Sequence, residues 1–416
     1  MKKFIFVLLL GLALVFSVDN AYSAGSGAFR LEVPDAEALG KGSAFVAQAD
    51  NPSAIYFNPA GMTQLKEKVD VSLGTALVQP FTTYKDNSGN RTDMRKQLFT
   101  IPNIFAVSNF GLEKFAFGIG ATSYWGLGTN WADDSFSKYV ATKTNLKTQD
   151  VMLTAAYKIN DNLSVGASAD YTAANVDMHR KAVGGGDLEI KGKDNNAWGY
   201  RLSALYKLNK NHSFGLMYRS PIQLKYKGKI YFNNNGYVGT YATDVVSNAT
   251  LPQSIVLGYC FKPDDKWRFE FDTEWMDWAS TKATSYGYPN ADPAYISTLN
   301  SLNPTFERNW HSAFSYALGI EYKVNDKWKL RAGYFYHKTP VAQANFESSL
   351  PDASSNSVTL GTGYNFNKNV TLDFAYAAIF FDERKITNNV GAPVASINGT
   401  YNTFVNLYLL TLTFKI

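Results

Sequence analysis

Residues 267–276 read WRFEFDTEWM, and residues 314–324 read FSYALGIEYKV. In both stretches bulky apolar or aromatic residues alternate with small or charged ones. Successive side chains of a strand point to opposite faces, so each stretch would form a strand with one aromatic-rich face and one polar face. This pattern is typical of a transmembrane β-barrel, which meets lipid on its outside and has a polar lumen.

The same alternation repeats from residue 69 to the last residue, Ile416. Outer-membrane barrels usually end in an aromatic residue, so Ile416 departs from that pattern. The alternation predicts an all-β fold, a barrel of about fourteen antiparallel strands, and an even number lets a meander close without a free edge. The predicted strands begin near residues 69, 98, 115, 149, 163, 196, 213, 251, 267, 312, 327, 357, 370 and 403. Longer stretches, predicted as loops, cover residues 81–96, 126–148, 182–194, 233–250, 282–311, 338–355 and 382–402.

The N-terminus is typical of a secretory signal peptide. Lys2 and Lys3 precede an apolar run over residues 4–16, and Ala21-Tyr22-Ser23 offers small residues for cleavage. The run is too short for a membrane helix. We therefore expect residues 1–23 to be removed, so that the mature chain begins at Ala24. A secreted chain that forms a membrane barrel is expected in the outer membrane of a bacterium.

Residues 24–68 do not alternate. They are rich in Gly, Ala and Asp, and they contain Asn51-Pro52 and Asn58-Pro59. This composition predicts a compact, turn-rich segment rather than part of the barrel wall. The mature chain is thus divided into an N-terminal segment, residues 24–68, and a barrel, residues 69–416.

Composition argues against several other functions. The net formal charge is +5 and the charges are scattered, which does not favour nucleic-acid binding. Cys260 is the single cysteine, so an intramolecular disulfide is excluded. No catalytic constellation and no metal-ligand spacing emerges, so we expect neither enzyme activity nor a metal or cofactor. The four histidines are scattered, at His179, His212, His311 and His337.

Several short motifs, taken in order, resemble the FadL family of outer-membrane transporters for long-chain fatty acids and other hydrophobic compounds. The resemblance covers nearly the whole mature chain. It implies a fourteen-stranded barrel that is closed by a plug, or hatch, formed by residues 24–68. The motifs are Ala24-Gly25 followed by Phe29 and Leu31, Leu39-Gly40-Lys41, Asn58-Pro59-Ala60, Ser123-Tyr124-Trp125-Gly126-Leu127, Trp198-Gly199-Tyr200, Tyr218-Arg219-Ser220, Lys227-Gly228, Thr339-Pro340-Val341 and Leu350-Pro351-Asp352.

The motif Ser123-Tyr124-Trp125-Gly126 resembles the place where the third strand of the family is kinked. In the family this kink opens a gap in the wall through which ligand leaves sideways into the membrane. Glycine is a suitable residue for interrupting a strand. The alternative is that Gly126 merely ends the strand before a loop.

The motif Asn58-Pro59-Ala60 resembles part of the family's plug. Proline fixes its backbone angle and removes a hydrogen-bond donor, so the motif would form a rigid turn. The resemblance implies, in addition, that this turn holds the plug near the wall opening.

Two arginines resemble basic residues of the family's ligand site, namely Arg180 in Met178-His179-Arg180 and Arg308 in Phe306-Glu307-Arg308. Guanidinium groups could make charge-assisted hydrogen bonds to the carboxylate of a fatty acid. The alternative is that either arginine only pairs with acids of the lumen. Glu270, Asp272 and Glu274 are such acids.

Four apolar residues complete the implied ligand path. Phe29 and Leu31 resemble plug residues that reach the ligand pocket, although they could simply pack against the wall. Trp131 and Phe136 belong to a loop that, in the family, helps to capture ligand at the cell surface. An exposed apolar patch on a loop often marks such a site, but these aromatic residues could also only pack the loop.

The resemblance therefore implies passive uptake of long-chain fatty acids by surface capture, plug movement and lateral release. Uptake of monoaromatic or aliphatic hydrocarbons, as in the TodX-type branch of the family, is the closest alternative. A non-selective porin is a further alternative, which the N-terminal segment disfavours. The expected partners are the hydrophobic ligand, outer-membrane lipid and lipopolysaccharide, and the family suggests a monomer.

Overall fold

The computed structural model describes residues 27–32, 34–392 and 396–416. The predicted signal peptide, its cleavage site and Ala24 lie outside these residues. Within the described residues, fourteen antiparallel strands form one closed sheet, in which the first strand pairs with the last. The predicted all-β barrel is confirmed.

The strands are numbered β1 to β14 in chain order. They are β1 Val69–Lys85, β2 Phe99–Ser108, β3 Phe115–Thr122 with Gly126–Asn130, β4 Lys143–Lys158, β5 Leu163–Lys181, β6 Asp187–Lys207, β7 His212–Arg219 with Ile222–Asn235, β8 Gly239–Leu251 with Ser254–Phe261, β9 Trp267–Met276, β10 Ala313–Lys323, β11 Trp328–His337, β12 Ser355–Asn367, β13 Val370–Phe381 and β14 Gly399–Lys415. Short strand segments lie at Arg91–Asp93, Ala283–Thr284, Phe306–Glu307 and Arg384–Ile386.

In the described residues the helices are short and are not part of the wall. They are α1 Ala36–Leu39, α2 Ala54–Phe57 and α3 Pro293–Leu302, with 3₁₀ turns at Pro59–Gln64, Trp278–Ser280 and Gln343–Asn345. Helices α1 and α2 belong to the N-terminal segment, and α3 belongs to the long loop between β9 and β10. In the part of the chain that the structure describes, no helix has both the length and the apolar character needed to cross a membrane.

The two faces of the wall have the character that the alternation predicts. On β9, Trp267 is 39% and Phe271 45% exposed, whereas Glu270 and Asp272 are 2% and 4% exposed. The aromatic residues therefore point outward and the acids point inward. Lipid takes the place of water as the solvent of the outer face, which explains why large apolar side chains cover it.

Most strand starts agree with the prediction, but parts of several predicted loops are strands. Strand β4 begins at Lys143 and β14 at Gly399, inside the stretches 126–148 and 382–402. Strand β6 begins at Asp187 and β8 at Gly239, inside the stretches 182–194 and 233–250 that were expected to be loops. Backbone pairing continues there, as in the pair Lys191 and Lys229 between β6 and β7.

An apolar outer face is required only where the wall meets lipid. In these extensions of the strands Leu188, Ile190 and Ile230 are buried in an apolar cluster with α3 and the residues between them are polar, so the outward apolar face by which the strands were recognised is missing.

The N-terminal segment is bonded to the inward face of the wall. Asp272 accepts hydrogen bonds from the amides of Phe45 and Val46 at 2.9 and 3.0 Å, and Glu270 accepts one from the Ala47 amide at 2.6 Å. The buried carboxylates of β9 thus find backbone donors in place of water. The sequence pattern had indicated inward-facing acids without indicating what they bind.

Inward-facing glycines allow the backbone of the N-terminal segment to approach the wall closely. A Cβ atom at Gly333 of β11 would lie 2.1 Å from the amide nitrogen of Gly42, and one at Gly215 of β7 would lie 2.2 Å from the carbonyl oxygen of Val46. Any side chain at these positions would overlap main-chain atoms of the segment. Contacts with separate parts of a closed sheet are those expected of a plug.

Candidate functional site

Strand β3 is interrupted at Ser123, Tyr124 and Trp125, which we call the wall break. Residues 123–125 of β3 face residues 148–149 of β4, so β3 contains one residue more than its partner. An extra residue makes a bulge, which bends a strand and ends its regular pairing. The interruption lies before Gly126, which begins the second part of the strand.

The bulge separates β3 from β2 on one side of the break. The first part of β3 pairs with β2 as far as Ala121, which lies opposite Ile104. The second part, Gly126–Asn130, pairs with β4, and no ladder to β2 is present in the described residues. The wall is therefore discontinuous between residues 99–103 of β2 and the second part of β3.

The N-terminal segment bonds to the main chain of the wall break. The Leu31 amide donates to the Tyr124 carbonyl at 2.9 Å, and the Gly126 amide donates to the Phe29 carbonyl at 2.8 Å. Unpaired backbone groups are costly within a membrane. Residues 29–31 satisfy two of them, so the start of the N-terminal segment behaves as a short strand added beside the break.

The Phe29 ring lies in a group of three tryptophans. Its centroid is 5.0 Å from that of Trp278, 5.6 Å from that of Trp125 and 5.9 Å from that of Trp310. Leu31 is buried in a separate apolar group. The structure therefore brings Phe29 to the wall break and to two loop tryptophans, and it does not bring Leu31 to the same place.

Arg180 lies at the end of β5, where its guanidinium binds neutral oxygen atoms. One terminal nitrogen donates to the Leu302 carbonyl at 2.6 Å and to the Asn303 side chain at 2.7 Å, and the other donates to the Tyr139 carbonyl at 3.4 Å. Among the described residues, no carboxylate lies within ion-pair distance of Arg180. Arg180 thus ties the end of α3 to the wall and keeps an uncompensated charge.

Arg308 has an acidic partner. Its guanidinium lies 2.7 Å from a carboxylate oxygen of Glu347 and 5.2 Å from the centre of the Trp310 ring. Both arginines act on the same tyrosine of the β9–β10 loop. Burial and Glu347 raise the pKa of Tyr286, while Arg308 and Arg180 oppose the rise. The charges of the two predicted ligand arginines thus both act on Tyr286, although the chain separates them by more than a hundred residues.

The lumen acids that were considered as alternative partners of these arginines bind other groups. Glu270 and Asp272 accept hydrogen bonds from backbone amides of the N-terminal segment, as described above. Glu274 forms an ion pair with Arg30. In the described part of the chain, neither Arg180 nor Arg308 forms an ion pair with any of the three.

The predicted capture residues are packed inside their loop. Trp131 is fully buried, and its Nε1 donates to the Ser348 carbonyl at 3.0 Å. Phe136 stacks on Tyr84 with ring centroids 3.5 Å apart. The expectation that these aromatic residues form an exposed patch is wrong for Trp131, because the β11–β12 loop covers it. A role in capture stays a prediction.

The Asn58-Pro59-Ala60 turn is held against β5 and β6. The Asn58 side chain donates to the Val46 carbonyl at 2.8 Å and to the Ala204 carbonyl at 3.0 Å. The Ala60 amide donates to the Ser203 hydroxyl at 2.9 Å. Pro59 begins a 3₁₀ turn, where its missing donor is not needed. The turn therefore anchors the N-terminal segment to the wall.

Sequence reasoning missed a cavity of about 50 Å³ beside the wall break. Arg219 lines it together with Tyr124 and with Arg30 and Tyr56 of the N-terminal segment. Arg219 is two and four residues from Met217 and Gly215 in β7, so the alternation of that strand would have placed it on the inward face. The motif Tyr218-Arg219-Ser220 had been used only for the family resemblance.

One histidine, His179, lies beside two carboxylates and could form part of a metal site, which the scattered histidines of the sequence did not indicate. Asp177 and His179 of β5 and Glu189 of β6 bring three ligand atoms together. Lys143 lies 2.7 Å from Asp177, and Lys191 pairs with Glu189. These lysines already neutralise both carboxylates, so the group is explained as an ion-pair network.

Asp352 connects the loop between β11 and β12 to the start of the N-terminal segment. Its Oδ1 accepts the Ala28 amide at 2.9 Å. Burial raises the pKa of Asp352 from 3.8 to about 6, although hydrogen bonds from Thr339 and Ala28 and the charge of Arg384 oppose the rise. The folded state therefore binds the proton more readily than the unfolded state, and stability falls as the pH rises from about 4 to about 6.

We expect residues 27–32 to be held more firmly at pH 5 than at pH 8. Hydrogen exchange, corrected for the intrinsic rates, should show up to about tenfold greater protection at pH 5. Asp352→Asn should reduce this difference, because asparagine does not titrate. Equal protection of the wild type at both pH values, or an undiminished difference in the variant, would contradict the assignment.

Comparisons with known proteins agree with this architecture. A family model described as outer membrane protein transport protein (OMPP1/FadL/TodX) matches residues 18–416. The long-chain fatty acid transport protein of Escherichia coli K12 is 25% identical over 417 residues, which cover 88% of this chain and 89% of that protein. Outer membrane protein P1 of Haemophilus influenzae Rd is 23% identical over 458 residues, which cover 95% of this chain and 96% of that protein.

Solved structures share the fold. A Pseudomonas aeruginosa FadL homologue superposes with a TM-score of 0.81 at 18% identity, covering 94% of this chain and all of the other. The Pseudomonas putida toluene transporter TodX superposes with a TM-score of 0.70 at 17% identity, covering 95% of this chain and 99% of the other. At such identities the likeness supports the fold and leaves the ligand open.

Proposed function

The chain belongs to the OMPP1/FadL/TodX family of outer-membrane transport proteins, and from this premise we propose that it takes up long-chain fatty acids by passive diffusion. Its family transports hydrophobic compounds across the outer membrane through a β-barrel. The proposal comprises capture at the cell surface, movement of the N-terminal segment as a plug, and lateral release. We further propose that the protein works as a monomer surrounded by lipid and lipopolysaccharide, without enzyme activity.

The observation that carries the choice of a fatty acid is the charge of Arg180. Its guanidinium contacts only carbonyl and amide oxygens among the described residues. A carboxylate would supply the counter-charge that these neutral partners do not, and charge-assisted hydrogen bonds are about twice as strong as neutral ones. The charges of Arg308 and Arg180 both act on Tyr286. A neutral hydrocarbon would gain nothing from this arrangement.

Lateral release is supported by the wall break. The missing ladder between β2 and the second part of β3 offers a route into the membrane, and residues Phe29–Leu31 are bonded across the break. Moving the apolar chain sideways avoids exposing it to the polar lumen and the periplasm, which would be unfavourable. We propose that Phe29 must leave its tryptophans before ligand can pass.

The plug role of residues 24–68 is supported by their contacts with the wall. The Asn58-Pro59-Ala60 turn is bonded to Ser203 and Ala204 of β6. The start of the segment is bonded to β3 instead. We propose that the turn is the fixed end of the plug, and that the residues before α1 are the end that moves.

Uptake of monoaromatic hydrocarbons is the second candidate. The group formed by Trp125, Trp278 and Trp310 around Phe29 would suit an aromatic ligand, which could take the place of the Phe29 ring. Trp131 and Phe136 are proposed to help capture either type of ligand when the loop that covers them moves.

Binding of tritiated oleate to the purified full-length protein in detergent tests the choice between the two ligands. We expect Arg180→Met to weaken oleate binding by roughly ten- to a hundredfold, because a hydrogen bond to a charged group contributes about 1.5–3 kcal/mol. Binding of oleyl alcohol should change little. The control is Arg91→Met, since the Arg91 side chain is 60% exposed and pairs with Asp93 at the surface.

Toluene is the competitor in the same assay. Saturable oleate binding that resists toluene and weakens in Arg180→Met supports fatty-acid uptake. Binding that toluene displaces and that is the same in both proteins would transfer the proposal to neutral hydrocarbons. Absence of saturable binding of either ligand would refute specific transport.

A further inference from the structure

A row of aromatic rings connects Arg308 with Arg219. Neighbouring centroids are 5.5 Å apart for Trp310 and Trp278, 5.6 Å for Trp278 and Trp125, and 4.5 Å for Trp125 and Tyr124. We call these four residues the aromatic track. The Arg308 guanidinium lies 5.2 Å from the Trp310 ring at one end, and the Arg219 guanidinium lies 3.6 Å from the Tyr124 ring at the other.

Arg219 is an arginine without a direct counter-charge. It is 2% exposed, and no carboxylate of the described residues lies within ion-pair distance. In the described part of the chain, its Nε and Nη2 atoms have no hydrogen-bond acceptor. Its close contact is with the face of Tyr124, and Tyr56 lies further away at 5.5 Å. Buried donors without acceptors are rare and costly, which points to an acceptor that is brought by a ligand.

The acids that line the same cavity are already bonded. Arg30 pairs with both Glu32 and Glu274, and Asp272 accepts two backbone amides of the N-terminal segment. Arg219 is therefore the arginine of the cavity without an ion pair among the described residues, whereas Arg30 has two. The cavity of about 50 Å³ is large enough for a carboxylate group and too small for the alkyl chain.

We propose that Arg219 is a second binding site for the carboxylate of the transported acid, at the wall break. The acid reaches it along the aromatic track after leaving Arg180 and Arg308. This inference rests on the proposed function. It adds an exit site, at Arg219, to the carboxylate site proposed at Arg180 and Arg308. Transfer of a carboxylate along apolar rings is unfavourable unless a cation receives it, and Arg219 supplies this cation beside the opening to lipid.

The position of Phe29 agrees with this route. Its ring covers Trp125, Trp278 and Trp310, which are three of the four members of the aromatic track. While Phe29 is in place, the track is closed along its length. Displacement of the start of the N-terminal segment would uncover the track and the wall break together.

Flux of palmitate and of hexadecanol into liposomes that contain the full-length protein tests the inference. The two ligands have the same chain length and differ in charge. We expect Arg219→Met to slow palmitate flux by about tenfold or more, because the lost partner is charged, and to change hexadecanol flux less than about twofold. Equilibrium binding of palmitate should also change less than about twofold, since the site at Arg180 is intact.

Two further variants keep the test decisive. Arg219→Lys retains the charge and should restore palmitate flux to within about threefold of the wild type. Arg219→Gln, which is neutral but can bond to its surroundings, carries the same expectation as Arg219→Met if the latter fails to assemble.

The outcomes separate this inference from the proposed function. An equal fall for both ligands would assign Arg219 a purely structural role and overturn the inference. Unchanged palmitate flux in both neutral variants would overturn it as well. If the wild type neither binds nor transports palmitate, the proposed function fails and the exit site fails with it.

Discussion

Gly333→Leu is expected to unseat the N-terminal segment and open the barrel to small hydrophilic solutes. A Cβ atom at this position would lie 2.1 Å from the Gly42 nitrogen and 2.2 Å from the Lys41 carbonyl carbon. Main-chain atoms cannot move aside by changing a rotamer. Overpacking costs about 1–3 kcal/mol even where neighbours can adjust, so the segment should leave the wall in a large share of molecules.

Ion conductance in planar bilayers measures this opening. We expect the conductance of Gly333→Leu to exceed that of the wild type by about tenfold or more. Ala332→Leu is the matched control, because it adds a larger side chain at the next position of β11, where the residue is exposed on the outer face. Equal conductance of the two variants would show that residues 24–68 do not close the barrel at this contact.

Arg331→Met is expected to cause the largest loss of stability. Arg331 is fully buried, and its guanidinium lies 2.8 Å from Glu321, 2.6 Å from Asp373 and 3.6 Å from Glu37. Methionine would leave three acids without this cation. Removal of one partner from a buried ion pair costs about 3–5 kcal/mol, so the free energy of unfolding should fall by at least that order.

Urea unfolding in detergent micelles, followed by tryptophan fluorescence, gives this free energy. Lys329→Met is the control, because Lys329 lies 3.5 Å from the same Glu321 but its side chain is 30% exposed. We expect the control to lose less than about 1 kcal/mol, as is usual for partly exposed pairs. A loss in Arg331→Met no greater than that in Lys329→Met would contradict the importance of the buried network. Because Glu37 belongs to the N-terminal segment, the conductance assay should also show partial opening.

The sequence predicted the strands well within the band of the wall that faces lipid, and poorly where the strands extend beyond that band. The starts of β1, β3, β5, β9 and β13 agree with the alternation, because in each of these strands apolar residues alternate with small or polar ones from the first residues. The starts of β4, β6, β8 and β14 lie earlier than predicted, and those of β6 and β8 differ most. Asp187 and Gly239 lie in hydrogen-bonded hairpins that lack the outward apolar face of the membrane band. In β6 the apolar residues Leu188 and Ile190 are buried beside α3 and the residues between them are polar, so the pattern that marks a strand in lipid is absent there.

The candidate site was predicted in part. The resemblance singled out Phe29, Arg180, Arg308 and the motif at the wall break, and the structure gives each a specific set of contacts. It also showed that Trp131 is buried and that Leu31 lies apart from Phe29. Arg219 was not singled out, because a single arginine on an inward face has no meaning in the sequence until its neighbours are known.

The sequence by itself determined that the chain forms a membrane barrel, since alternation with period two is a local property that the two solvents, lipid and water, impose on each strand separately. It also determined which side chains face inward. The tertiary structure alone decided what those side chains meet: which glycines touch the N-terminal segment, which acids bind its amides, and which arginines lack a counter-charge. These contacts join residues that are hundreds of positions apart, and they depend on closure of the barrel, which no local pattern records.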